Sequence, residues 1–375
     1  MTPDVKQRIQ QIRRGEVPER YVKTALGIVP ADWKRCTFGD IYTERKEPGN
    51  EELPLLMVSI HSGVSDGEVD ESELPKKAKR IEDKSQYKKA VSGDLVFNMM
   101  RAWQGAIGTV RTTGMVSPAY IVAEPNDKVY PLFMDYYTKT PQMINQIGRQ
   151  SYGVTDFRKR LYWDSFAPIG CILPPIEEQR KIVAILTIQD KVIELKEKRL
   201  VEKQRQKKYL MQQLLTGKKR LPGFIKSWTT VELGEIFNYI QPTAYLVKTT
   251  DYDDSYKTPV LTAGKTFILG YTNETEGVFT KVPVVIFDDF TTATKYVDFP
   301  FKVKSSAMKI LTIKDGFSIV FAYEAMQLIK FTVGGHERHW ISKYSCLTID
   351  IPDMEEQIAI AEVLSAADRE IELLR

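Results

Sequence analysis

Three groups of residues have types and spacings that invite a catalytic reading. Leu261-Thr262-Ala263-Gly264-Lys265-Thr266 ends like a phosphate-cradling loop. That motif needs a glycine five residues before Gly264, and Pro259 stands there. Lys265 is left as a phosphate contact, without a nucleotide-binding loop around it. Asp288-Asp289 with Lys295 would suit a nuclease only if further carboxylates converged on Mg²⁺. His336 and His339 are spaced as an HxxH pair. Zinc needs three or four ligands, and the third histidine, His61, lies in the other half of the chain. There is no GxGxxG motif, and Pro174-Pro175 follows Leu173 rather than the Asn or Asp of a base-methylating site. No catalytic residue and no metal ligand is therefore assigned.

Another chemistry recurs. Each half has loops that mix Arg or Lys with aromatic and amide or hydroxyl side chains. In the first half they are Arg101, Trp103 and Gln104, then Tyr152, Arg158, Lys159 and Arg160. In the second they are Thr291, Thr292 and Lys295, then Lys302, Lys304 and Ser305, then His336, Arg338 and His339. Arg and Gln can make bidentate contacts with guanine and adenine edges, and Lys with Ser or Thr suits phosphates. One such loop is ordinary surface. Recurrence at matching places points to nucleic acid, with Lys265 as an added phosphate contact.

These loops need a frame, and the stretch from Leu173 to Phe224 supplies its most regular part. After Pro174-Pro175, Glu177 and Glu178 sit where a helix N-terminus favours negative charge. No Gly or Pro follows until Gly217. Ile182, Leu186, Ile193, Leu200, Leu210 and Leu214 mark a heptad seam, with Gln189, Lys196, Lys203 and Lys207 at its other positions. A helix from Glu177 to Leu215 would be on the order of 55–60 Å long at ~1.5 Å per residue. It must pack on something beyond its own domain. From Glu177 to Arg220 there are 13 basic and six acidic residues, a charge that suits either a phosphate backbone or an acidic partner.

The chain is duplicated. Leu173-Pro174-Pro175-Ile176-Glu177-Glu178-Gln179 returns as Ile351-Pro352-Asp353-Met354-Glu355-Glu356-Gln357. At the same offset Ile360, Leu364 and Ile371 repeat Ile182, Leu186 and Ile193. Trp33–Tyr42 parallels Trp228–Phe237. Asp94–Asn98 aligns with Val284–Asp288, Val116–Tyr120 with Ser305–Lys309, and Gly153–Arg160 with the stretch from Gly335. A short helix over Asp4–Gly15 echoes the end of the long helix, so it could complete the short distal one. Both globular regions read as mixed α+β, with runs such as Thr258–Leu261, Val282–Phe287 and Lys309–Ile313 as strands. The resulting segments are 1–17, a helix completing the distal one; 18–172 and 221–351, two globular domains; 173–220, the long helix; and 352–375, the short distal helix.

At 375 residues with 43% hydrophobic content, the chain suits two soluble domains. Nothing in it reads as a membrane span or secretion signal. Cys36, Cys171 and Cys346 lie far apart and form no framework, which fits the cytoplasm. A net charge of +4 permits a nucleic-acid partner without demanding one.

On LPPIEEQRKIVAIL…LMQQLLTGKKRLPGF, IPDMEEQIAIAEVL, GDLVFNMMRAWQGAIG and PVVIFDDFTTATKYVDFPFKVKSSAMKIL, the chain resembles the specificity subunits of type I restriction–modification systems. The resemblance covers essentially the whole chain. It implies two target-recognition domains separated by two long antiparallel coiled-coil-like helices, with each domain reading half of a split double-stranded DNA target. The helices would fix the spacer and dock two modification (methyltransferase) subunits. Those subunits would carry the methyl donor, and restriction/translocase subunits would carry ATP and Mg²⁺, so the chain would need no cofactor. The distal helix is much shorter than its first copy: either the N-terminal helix completes it, or the chain is truncated there. Two other classes stay open: a self-contained methyltransferase or nuclease, and a coiled-coil adaptor whose ends bind protein.

Overall fold

The computed structural model describes residues 2–60, 63–65, 86–153, 159–264, 266–332 and 338–375. It divides into two compact units, Met1–Val192 and Ile193–Arg375, and the division falls within the long helix.

The first unit opens on helix α1 (Pro3–Arg13), none of whose residues is fully buried. Strand β1 (Lys34–Thr37) follows, then β2 (Tyr42–Glu44), β3 (Leu95–Asn98), β4 (Ile107–Thr109) and β5 (Tyr120–Pro125). Helices α2 (Pro131–Tyr137) and α3 (Pro141–Arg149) lead to β6 (Gly170–Leu173), which enters α4 (Ile176–Leu214). The second unit continues with β7 (Thr229–Glu232), β8 (Phe237–Ile240), β9 (Val284–Asp288), β10 (Thr294–Val297) and β11 (Met308–Ile313). Helix α5 (Ile319–Met326), β12 (Thr348–Ile351) and α6 (Met354–Glu372) complete it. The proline stop and the first-turn acids place the start of α4 within one residue of expectation. A further sheet in the second unit joins Ile268–Thr272, Thr258–Leu261 and Lys302–Val303.

The duplication is a duplication of register. The four-stranded sheets run β2-β5-β3-β4 and β8-β11-β9-β10, antiparallel throughout. Tyr42 pairs with Pro125 as Phe237 pairs with Ile313, and Tyr120 with Asn98 as Met308 with Asp288. The ladder thus sets Tyr120 against Met308. This corrects the alignment of Tyr120 with Lys309 by one residue, and in a strand a one-residue slip exchanges the two faces. Two-stranded pairs β1–β6 and β7–β12 lead into α4 and α6. In the first pair Cys36 faces Cys171, with sulfurs 3.3 Å apart; their 135-residue separation in sequence hides this proximity. The matching pair in the second unit is Val231–Ile349.

Each of the two repeated helices is tied to its unit by the same two side chains. Gln179 and Gln357 are both buried. Gln179 accepts the Tyr130 N–H (2.9 Å) and donates to the Pro174 carbonyl (2.9 Å). Gln357 accepts the Ser318 N–H (2.8 Å) and donates to the Pro352 carbonyl (2.9 Å). Tyr130 and Ser318 are the residues that cap α2 and α5. Trp33 donates its indole N–H to Glu178 (3.2 Å) and Trp228 to Glu356 (3.1 Å). The Glu-Gln repeat is therefore a docking device between helix and sheet, and it satisfies N–H groups that a helix start leaves without an intrahelical partner.

The seam residues of the repeated helices meet mixed fates. Ile182 packs on the first core and Leu186 is half-buried. Ile193 is exposed, while Leu200 is half-buried. Leu210 packs on the second core; Leu214, Ile360 and Leu364 are buried within it, and Ile371 is buried on α6. Leu214, Ile360, Leu364 and Ile371 are therefore corrected from partner-binding positions to core positions of this chain. The basic face is also partly committed: Lys203 pairs with Glu370 (2.6 Å), and Lys207 with both Glu324 (2.9 Å) and Asp368 (2.7 Å). Its acidic partners lie on α5 and α6 of the same unit. A different stripe stays open on α4: Ile185, Ile188, Val192 and Leu195 follow helical spacing and are all exposed. Among the described residues no helix is long and apolar enough to cross a membrane.

Candidate nucleic-acid interface

In both units the loop after the central strand opens with the same turn. Asn98 ends β3, and its side-chain oxygen accepts the Met100 N–H (2.9 Å). Asp288 ends β9, and its carboxylate accepts the N–H groups of Phe290 (3.0 Å) and Thr291 (2.8 Å). These are turns in which a short polar side chain holds backbone two residues on. A later segment is then laid against each loop. Leu161 donates its N–H to the Met99 carbonyl (2.8 Å), and His339 donates its N–H to the Asp289 carbonyl (3.0 Å). Beneath both lie matching rings: Phe97 and Phe166 have centroids 4.7 Å apart, Phe287 and Tyr344 4.8 Å. Burial pushes the Tyr344 hydroxyl up to about 12, so it serves as a neutral core ring.

These bonds set Arg160 against Arg338. The glycine-led alignment of Gly153 with Gly335 would have placed Arg160 four residues further on, so it is corrected here. Arg160 is held by a backbone pair with Tyr152 (3.1 and 2.9 Å). Both arginines are exposed, and no described residue forms an ion pair with either guanidinium.

On the first loop Arg101 and Gln104 are exposed and Trp103 is half-buried. The Trp103 indole N–H donates to the Met100 carbonyl (3.1 Å), and Lys159 lies 5.3 Å from its ring centre. A cation over indole adds a modest attraction. Gly105 closes the loop at φ +99, a conformation that side-chain-bearing residues rarely adopt. Tyr152 is exposed, with its hydroxyl bonded to Ser165. These residues come together on one edge of the first unit. Exposed Met100 and Tyr162 join them; Met100, next to Arg101, is apolar and gave no polar signal, and Tyr162 ends the polar run that holds Lys159 and Arg160.

In the second unit Thr291 is exposed and Thr292 half-buried at φ +57, an unusual conformation for a β-branched residue. Phe290, which the sequence reading passed over, is exposed beside them. Lys295 on β10 is half-buried, 6.0 Å from the Phe267 ring centre. Lys304 and Ser305 are exposed; Lys304 lies 5.9 Å from the Tyr252 ring centre, and the Ser305 hydroxyl accepts the Ala307 N–H.

Two selected residues are corrected because they are buried. Lys302 is 1% exposed, pairs with Glu274 (2.9 Å) and donates to the Glu276 carbonyl (2.6 Å). His339 is fully buried, with its ring against Phe331 and no hydrogen-bond partner on either nitrogen among the described residues. Neither can reach a ligand. Arg158, Lys265, His336 and His61 lie outside the described residues. The aspartates are also occupied: Asp289 is buried, accepts the Trp340 N–H (2.8 Å) and faces Lys309 at 3.2 Å. Among the described residues no group of His, Cys, Asp and Glu could hold a metal ion.

Residues 225–375 match the family model described as the type I restriction modification DNA specificity domain. The chain is 51% identical over 161 residues to the type I restriction enzyme EcoR124I/EcoR124II specificity subunit of Escherichia coli, a match covering 40% of this chain and 39% of that subunit. It is 23% identical over 412 aligned positions to the putative type I restriction enzyme MjaX specificity subunit of Methanocaldococcus jannaschii, covering 95% of this chain and 92% of that one. Among solved structures, the type I restriction–modification S subunit from M. genitalium shares the fold, with a TM-score of 0.62 at 12% identity over 91% of each chain.

Proposed function

We propose that this chain, which is similar to type I restriction–modification specificity subunits, is the DNA-recognition subunit of such a complex and performs no chemistry itself. The observation that carries the reading is the duplicated frame with unlike loops. Register, ring packing and helix docking repeat, while Arg101-Trp103-Gln104 on one loop answers to Phe290-Thr291-Thr292 on the other. A frame that repeats while its tips change suits two readers of one ligand class with two different sequences.

In this reading each unit reads one half of a split double-stranded target. Helices α4 and α6 fix the spacer. The open stripe Ile185, Ile188, Val192 and Leu195 offers modification subunits an apolar face. Partner subunits supply S-adenosylmethionine, ATP and Mg²⁺; the chain works with them in the cytoplasm. The nuclease reading loses its best candidates, since Asp288 and Asp289 are used up in a turn and a buried ion pair.

The test is binding of the full chain, assembled with its modification subunit, to duplexes bearing candidate split sites. The reading expects tight binding that falls steeply with salt and requires both half-sites. Binding to protein partners with no salt-dependent DNA affinity would move the chain to the adaptor class.

A further inference from the structure

We infer that Arg160 and Arg338 are an equivalent pair of phosphate-binding residues, one per unit, which position the DNA backbone while the neighbouring loops read bases. The inference rests on the DNA-reading function proposed above and assigns roles within that site.

Equivalence comes from backbone geometry. In each unit the residue after the arginine donates its N–H to the loop carbonyl that follows the end of the central strand: Leu161 to Met99 at 2.8 Å, His339 to Asp289 at 3.0 Å. Each arginine is therefore anchored one residue from a fixed bond and projects at the same place in the frame. Both are exposed. The loops beside them are unlike. The first spans the eight residues 99–106 between β3 and β4 and presents Arg101, Trp103 and Gln104. The second spans the five residues 289–293 between β9 and β10 and presents Phe290, Thr291 and Thr292. Two different half-sites share one thing at a fixed place, the sugar-phosphate backbone. A side chain kept at one position in both readers suits that common part, and side chains that differ suit what differs. Guanidinium groups bind phosphate oxygens bidentately, and phosphate contacts set register without carrying sequence.

The experiment uses the full chain assembled with its modification subunit. Affinity for a cognate and an unrelated duplex is measured across a salt series, and base preference on a randomised duplex pool. Arg160→Gln and Arg338→Gln should each weaken cognate and unrelated duplexes by the same factor. Each should reduce the slope of log K against log salt by about 1 and leave the preferred sequence unchanged. Arg160→Lys and Arg338→Lys should keep most of the slope and the same preference, since ammonium still meets phosphate. Gln104→Ala should instead relax one base position with little change in slope.

A change of preferred base on Arg→Gln or Arg→Lys would overturn the assignment and make the arginine a base reader. An unchanged slope and affinity would remove it from the interface. Failure of the unaltered complex to bind any duplex would sink the DNA-reading function, and this assignment with it; normal binding combined with inert arginines would sink the assignment alone.

Discussion

The two units share a frame but fill one layer of it in opposite ways. Under the first loop, the strand-end and segment positions are Met99, Ile121 and Leu161, part of one apolar cluster. The register sets Asp289, Lys309 and His339 in those places in the second unit. There the lysine ammonium meets Asp289 at 3.2 Å and Gln241 at 3.1 Å, and it lies 5.7 Å from the Tyr239 ring centre. An apolar trio and a buried polar set thus occupy the same places in one fold, the polar set made of the Asp289–Lys309 pair and a His339 ring packed on Phe331. Stability favours neither strongly, because the desolvation of two charges offsets much of their attraction. The gain is in direction: one Asp289 oxygen orients the Trp340 N–H, which an apolar side chain cannot do.

The largest expected effect comes from breaking that polar set in one place. Lys309→Met strands a buried carboxylate and should cost the second unit about 3–5 kcal/mol. The triple change Asp289→Met, Lys309→Ile and His339→Leu, which copies the first unit, removes both charges together but strands the buried Trp340 N–H, so it should cost about 1–3 kcal/mol, less than the single change. Denaturant unfolding of both variants decides this, and a triple variant as unstable as the single would contradict it. A middle-sized effect is expected where the units agree. Gln179→Leu and Gln357→Leu each strand a buried capping N–H and should each cost about 1–3 kcal/mol, in their own unit only. Hydrogen exchange at Tyr130 and Ser318 would localise each loss; a loss spread over both units would contradict independent docking. The smallest effect is at Thr292. Thr292→Gly relieves a left-handed residue on the shorter loop and should stabilise by about 0.5–1 kcal/mol. The matching change in the first unit has no target, since Gly105 already closes that loop.

The long helix was legible because prolines, first-turn acids and an unbroken run mark its ends. The duplication was legible because the Glu-Gln phrase recurs verbatim enough to fix an offset. The task of the two glutamines was not legible, because their partners Tyr130 and Ser318 are 49 and 39 residues away. Lys302 and His339 were misread for a similar reason. A cation or imidazole in a polar stretch reads as exposed, and only the fold brings Glu274 to one and encloses the other. Six of the ten heptad-seam positions were legible as apolar. Its assignment to a separate subunit failed where Leu214, Ile360 and Leu364 meet in the chain's own core.

The most direct test is a methylation map. The chain is co-expressed with its modification subunit, and methylated positions are read across a random-sequence DNA library. The account predicts a split motif that vanishes when this chain is omitted, and of which Gln104→Ala and Thr291→Ala each alter a different half. One continuous motif, loop variants that alter both halves together, or methyl transfer by this chain alone would contradict it.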